Sequence, residues 1–332
     1  MTVERNVRRG VWVFPSAPAS VLLDAILTAE DLGIDEFWIG DEGAARDPFT
    51  VLAAAAARTQ RIRLGIAVTN PYLRHPVTIA AEAMTVHELA AGRFVLALGP
   101  GGHIALDPAH VTRHRPLHTT ARALRTIRAV ARGVASDTYT PPSAPFTRPE
   151  LPVFIGSRSE RFQRLASAEA DGVFLAGLPS SVLPQTVAWA RSVRPIEIAL
   201  YGTAVFDPEE AARLPERLIL PLSDSPDHVL DALDLDRADV AAARAAFVAG
   251  DPRPARRLVS EEIFAELVLA GTPVEVGRAL AARARAYEPH SIGLTFVTPD
   301  PLRVVTDAAA AFAVFDRALR KSPDEDRVLE SP

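Results

Sequence analysis

Asp41 and Glu42 sit side by side at the end of a short apolar run, Glu36 to Gly40, and two carboxylates so placed invite proton chemistry. Like charges in contact favour keeping a proton on one of them, so either residue could carry a raised pKa and act as acid or base. A solvated pair capping the next helix is the plainer alternative. Three more polar clusters follow apolar runs: Val68-Thr69-Asn70-Pro71, Gly99-Pro100-Gly101-Gly102-His103 and Gly156-Ser157-Arg158-Ser159. The last opens a helical pattern, where free amide donors, the positive helix end and Arg158 together suit an anion such as a phosphate. Ordinary capping would need only Ser157 or Ser159. Gly99 to Gly102 would let backbone approach a flat ligand, although a flexible turn has the same composition. His110, His114 and His118 recur every fourth residue, but Pro116 breaks the helical register a metal would need, so no metal site is expected and the segment reads as a basic loop. His75, just before Pro76, reads as a structural hydrogen-bonding residue.

The elements that must position these groups alternate along the chain. Apolar runs at Val11 to Phe14, Glu36 to Gly40, Ile62 to Val68, Arg93 to Leu98, Val153 to Ile155, Gly172 to Leu175, Ile196 to Val205 and Ser291 to Val297 read as strands. Helical spacing fills the gaps: Ala19 to Leu32 closing at Gly33, Pro48 to Arg58, Pro76 to Leu89, Thr119 to Ala131, Ser159 to Ala168, Leu183 to Ser192 and a closing helix, Leu302 to Leu319. Eight strands alternating with helices are what a closed (β/α)8 TIM barrel requires, and such barrels work at the C-terminal ends of their strands. All four polar clusters fall at those ends. The chain is therefore expected to be one barrel domain over residues 1–332, with a helical insertion at about 208–272 and a polar tail at about 321–332. The insertion should be broken at Pro221, Pro226 and Pro252. A doubly wound open sheet is the competing fold, against which no G-x-G-x-x-G follows the first strand.

Composition narrows the chemistry. With 332 residues and 48% hydrophobic content the chain can bury a large core, and a net charge of -5 with both signs interspersed gives no face for nucleic acid. No apolar run reaches the roughly 18 residues of a membrane span, and a soluble cytoplasmic protein is expected. Cysteine is absent, which excludes disulfides, thiolate metal sites and a cysteine nucleophile, and the single lysine, Lys321, lies in the polar tail, away from any Schiff-base role. Redox chemistry would need a bound cofactor. Serine hydrolase and Walker-type signatures are missing.

Four segments resemble the luciferase-like flavin and deazaflavin oxidoreductases: FWIGDEGAARDPFTVLAAAAARTQRIRLG, IAVTNPYLRHPVTIAAEAMTVHELAAGRFVLALGPGG, LPVFIGSRSERFQRLASAEADGVFLAG and GTPVEVGRALAARA. The second is the most specific, and V-T-N-P-Y-x-R-H-P is most similar to the branch that uses coenzyme F420, methylene-tetrahydromethanopterin reductases included. The resemblance implies a barrel, usually dimeric, with the cofactor ring at its C-terminal mouth, and a non-prolyl cis peptide in the third strand at Ile66-Ala67 or Ala67-Val68. It implies that Ile66, Ala67, Val68, Thr69 and Asn70 lie along the cofactor, that Gly99, Gly101 and Gly102 face it, and that Gly156, Ser157, Arg158 and Ser159 hold its phosphate. Two positions depart from the pattern. Trp12 stands where the pterin reductases resemble one another in carrying a glutamate acid, and Glu42 stands where many relatives have histidine. Glu42 or Asp41 is then the candidate acid, and Trp12 and His103 the candidate substrate pocket. The function implied is hydride transfer between coenzyme F420 and a small organic molecule. An FMN-dependent monooxygenase is the alternative, and a cofactor-less barrel serving as a binding or partner subunit is the third reading.

Overall fold

Each of the eight apolar runs must pair its backbone, and closing them on one another leaves no unpaired edge. That is the arrangement in the computed structural model of the chain, which describes residues 7–43, 45–141, 146–148, 150–298 and 300–320. The strands are Arg8–Val13 (β1), Glu36–Ile39 (β2), Arg63–Thr69 (β3), Phe94–Leu98 (β4), Val153–Gly156 (β5), Gly172–Ala176 (β6), Glu197–Val205 (β7), Val268–Ala270 (β8) and Ser291–Phe296 (β9). β1 to β7 pair in sequence order, all parallel, and β9 closes the ring between β7 and β1. The (β/α)8 barrel is therefore the observed fold. Among the described residues no helix is long and apolar enough to cross a membrane. The polar tail with Lys321, and part of the Pro-rich connector from Thr140 to Pro149, fall outside the described residues.

Alternation along the strands sorts the core into two layers. Val11, Val13, Phe37, Ile39, Leu64, Ile66, Leu96 and Leu98 pack outward against the helices. Trp38, Ala67, Val95, Ala97, Phe154, Phe174, Ala199 and Tyr201 fill the barrel itself. Trp38 lies 4.9 Å from Phe174 and 6.1 Å from Phe154 between ring centroids, and Phe174 lies 4.7 Å from Tyr201, so the interior is an aromatic plug. Gly65 faces Trp38, its register partner on β2, and a Cβ there would lie 2.2 Å from the indole. With Phe154, Phe174 and Tyr201 around it the ring has nowhere to retreat. Gly65→Ala is expected to lose about 3 kcal/mol of stability by overpacking, read as a lower denaturant midpoint at unchanged slope.

Several boundaries differ from the sequence reading, each for a local reason. β1 begins at Arg8, three residues before the apolar run, because its arginines ladder with β9, Arg8 reaching Glu36 and Arg9 reaching Asp35. The helix expected from Thr119 begins at Pro116, where the missing N–H costs nothing in a first turn, and this leaves His110 and His114 outside it. Pro221 does not break the insertion: it lies inside the helix Ile219–Ser223, and the break falls at Leu218. The insertion carries the helices Pro208–Arg217, Ile219–Ser223, Asp227–Ala232, Arg237–Val248, Arg253–Leu258 and Glu261–Leu267. It then ends in β8, unforeseen because three residues give no period, which pairs with the far end of β7.

Candidate functional site at the barrel mouth

The C-terminal ends of β1 to β5 bring most of the expected residues together. β3 is the key element. Its Ala67-Val68 peptide is cis, the second of the two bonds expected, and the pairing with β4 shifts register between Ala67 and Thr69. The bulge pushes Val68 sideways into space left by two glycines. A Cβ on Gly156 would lie 2.2 Å from Val68 Cγ1, and one on Gly99 would lie 2.7 Å from Val68 Cγ2. The room at Gly99 and Gly156 is thus taken by the β3 side chain rather than left open to a ligand. Trp12, half-buried on β1, donates its indole N–H to the Ala67 carbonyl, so it holds the bulge from the other side. Its sequence position suggested a pocket wall; the hydrogen bond adds a positioning role.

Asp41 is buried and well anchored. It accepts from Thr69 Oγ1 at 2.7 Å and from Arg74 Nε at 3.0 Å, and Arg74 also pairs with Asp47 and Glu82. Glu42 is in the opposite situation. Burial, then the neighbouring charges of Asp41 and Asp224, push its carboxyl up to about 7, and among the described residues no hydrogen bond or ion pair offsets them. Two adjacent carboxylates are thereby separated in role by their surroundings: one is tied to Thr69 and Arg74, the other is poised to exchange a proton near neutrality. A cleft of about 390 Å³ opens beside Asp41, Gly43, Arg74 and Ala105.

Other expected residues sit differently. Ile66 packs in the layer between strands and helices, fully buried, so it is turned away from the mouth by the strand's two-residue alternation. Asn70 lies at the mouth, but its side-chain oxygen accepts the N–H groups of Tyr72 and Leu73 at 3.1 and 3.0 Å, which shapes the turn. Ser159 precedes the helix Glu160–Glu169 without capping it, and Ser157 Oγ accepts from Ser159 N–H at 3.4 Å. Arg158 does not converge on that helix end. Its guanidinium donates to Ser225 Oγ at 2.9 Å, to Pro221 O at 2.8 Å and to Gly177 O at 3.3 Å, because the insertion offers it acceptors. Gly101 has φ of 71°, and its carbonyl accepts from Arg113 Nη1 at 3.1 Å. Gly102 precedes the short helix His103–Leu106, and His103 donates its backbone N–H to Asp224 at 2.9 Å.

Arg74, Arg113 and Asp224 are the residues that sequence reasoning missed. Arg74 was within reach, since a lone cation shortly after a strand end needs a nearby acid. Asp224 carried no signal, because only the folded insertion brings it to the mouth.

Comparison with known proteins agrees with this architecture. Residues 7–288 match the family described as luciferase-like monooxygenase. A 5,10-methylenetetrahydromethanopterin reductase from Methanolobus tindarius is 28% identical over 304 residues, covering 86% of this chain and 91% of that reductase. The structure of a coenzyme F420 dependent tetrahydromethanopterin reductase from Methanopyrus kandleri superposes with a TM-score of 0.77 at 21% identity, over 94% of this chain and 99% of that one. An F420-dependent secondary alcohol dehydrogenase superposes with a TM-score of 0.67 at 17% identity, over 95% and 100%, and both likenesses are of fold. Seven of the eight barrel strands and the whole insertion lie inside the family match, and the chain belongs to the luciferase-like monooxygenase family.

Proposed function

We propose that the protein is an oxidoreductase that uses coenzyme F420 to transfer hydride to or from a small organic molecule, with Glu42 handling the accompanying proton. What supports the hydride-transfer reading is the family match together with the register-shifted β3 bulge at the barrel mouth, and the Glu42 carboxyl, pushed up to about 7 by burial and then by its acidic neighbours, supports the proton-handling role. Acid or base catalysis works best with a group poised near the operating pH. Asp41, held by Thr69 and Arg74, acts as the fixed charge that keeps Glu42 reluctant to ionise.

The residues present fit the coenzyme at both ends. Ala67 and Val68 offer an apolar bulge for a flat ring, and the helix Glu160–Glu169 begins without a side-chain cap, leaving first-turn amides for a phosphate. Ser157 and Ser159 flank that end; Arg158, committed to the insertion, is left out of the phosphate set. When bound, the deazaflavin would supply the hydride chemistry. Trp12 keeps the Ala67 carbonyl in place, and being no acid it leaves proton transfer to Glu42. Relatives at 28% identity are 5,10-methylenetetrahydromethanopterin reductases, but Trp12 stands where the resemblance sets their glutamate acid, so a different small organic substrate is proposed here. In the same reading the enzyme works in the cytoplasm as a homodimer, with neither nucleic acid nor membrane as partner.

The test is a fluorescence titration of purified protein with coenzyme F420 and with FMN. Tighter binding of the deazaflavin is expected; preference for FMN, with oxygen consumed in the presence of its reduced form, would turn the assignment to the monooxygenase alternative. Binding of neither would favour a partner subunit.

A further inference from the structure

Trp12, on β1, packs with Val68 and Ala176 against the aromatic plug, at the mouth end of the barrel interior. Its N–H donates to the Ala67 carbonyl on β3, which restrains the ring. β2 runs alongside: Val13 pairs with Ile39, and the Gly40 N–H donates to the Val13 carbonyl at 3.3 Å, so the chain leaves β2 directly beside β1. Gly40 has no side chain to keep its neighbours apart, and two of them have closed over it. A Cβ there would lie 2.8 Å from Trp12 Cζ2, 3.1 Å from Glu42 Oε1 and 3.2 Å from Glu42 Cγ. The edge of the indole and the Glu42 carboxyl therefore converge on the space above one residue.

We propose that Trp12 is the positioning residue of Glu42: its indole, anchored to the β3 bulge, is the apolar wall that covers one flank of the half-buried carboxyl and keeps water from it. The proposal rests on the role given to Glu42 above and supplies a local cause for the burial invoked there. A carboxylate loses hydration against such a wall and the neutral acid loses far less, so the wall favours the protonated form. The ring edge is weakly positive, but its attraction for an anion is small beside the hydration lost. Burial is also the foremost cause of the raised Glu42 carboxyl, ahead of Asp41 and Asp224. Each of those two acids faces its own cation, Asp41 with Arg74 Nε at 3.0 Å and Asp224 with Arg113 Nη2 at 3.3 Å, and His103 Nε2 stands 3.7 Å from Asp224. Replacing Trp12 removes none of these charges, which separates the wall from the electrostatics. A side chain with no proton to give thus acts through one that has.

The experiment uses the full chain without added cofactor. The Glu42 carboxyl is followed by NMR after labelling glutamate side chains with carbon-13, and its resonance is assigned by its disappearance in Glu42→Gln. Trp12→Ser removes the wall, and the Glu42 midpoint should fall by roughly one pH unit or more towards the ordinary carboxylate range. Trp12→Phe keeps an apolar ring without the N–H and should restore most of the difference. A midpoint unmoved in Trp12→Ser, or one that falls as far in Trp12→Phe, would overturn the proposal, the second because the hydrogen bond to Ala67 and not the wall would then be responsible. An ordinary carboxylate midpoint in the parent would do the same. Should Trp12→Ser not fold, Gly40→Ala decides: its methyl drives ring and carboxyl apart with Trp12 intact, and a midpoint that fails to fall removes the proposal. Because the readout is the proton and not turnover, midpoints that move as expected beside a turnover profile that ignores them would leave this inference standing and remove Glu42 from catalysis.

Discussion

Replacing Glu36 with alanine is expected to cost the fold about 3 to 5 kcal/mol, visible as a melting temperature lower by on the order of 10 °C. Glu36 is fully buried in the barrel at the end opposite the mouth. Its carboxylate accepts from Arg8 Nε at 2.6 Å, Arg63 Nη1 at 3.1 Å, Trp38 Nε1 at 3.0 Å and Tyr201 O–H at 2.9 Å. Removing it strands the indole N–H and the phenol among aromatic rings and takes away a charge that two guanidinium groups share. Glu197, which pairs with both arginines, keeps the loss within that range. The pH dependence has a definite sign. Burial works to raise the Glu36 pKa, but Arg63 and Arg8 outweigh it and leave it below the ordinary 4.5. A carboxyl depressed on folding contributes stability above its unfolded pKa and loses that contribution as pH falls through the folded one. The gap between parent and Glu36→Ala, measured by denaturant titration, should therefore narrow below about pH 4.5. A gap constant from neutrality into acid would contradict the ion-pair account.

This buried acid shows where the sequence is eloquent and where it is mute. The barrel was legible because parallel strands buried on both faces read as short apolar runs, and helices with their own punctuation separate them. Glu36 stood in plain view as the first residue of one such run. Nothing in its neighbours said that Arg8 and Arg63, on the two flanking strands, would close over it. The β3 bulge was legible only through resemblance: composition cannot specify a cis bond, and the fit of Val68 between Gly99 and Gly156 joins three strands. Asp41 and Glu42 were legible as a pair and not as individuals. What separates them is Thr69 and Arg74, which hold Asp41, and the burial of Glu42, both set by elements far apart in the chain. Arg158 misled for the same reason, since its acceptors lie in an insertion whose helices carry no strong period. Residues whose function depends on local backbone were readable; those whose function depends on a distant partner were not.

The sharpest consequence of that separation is that one substitution should slow the enzyme and steady the fold. Glu42→Gln keeps the shape and loses the proton, and turnover should drop by roughly 100- to 10,000-fold, the range for removing a general acid or base, while coenzyme affinity changes little. Stability should move the other way with a particular pH dependence. The folded Glu42 carboxyl is pushed up to about 7 from an ordinary 4.5. Between those values the unfolded chain has already released the proton that the folded chain still holds, so the parent loses stability as pH rises across the window and levels off above it. Glutamine has no proton to hold and is spared this decline. The variant should gain on the parent between pH 5 and pH 8, with a ceiling of about 3 kcal/mol set by the full shift, and water reaching the partly exposed side chain keeps the gain below that ceiling. Paired denaturation curves at the two pH values measure it directly. Parental turnover in the variant would sink the catalytic assignment, and a stability difference that stays flat across the window would show that the mouth does not hold Glu42 protonated. If both effects appear, the strained carboxyl is the price this barrel accepts for an acid at its mouth: stability given up at the one residue where ionisation near neutrality is useful.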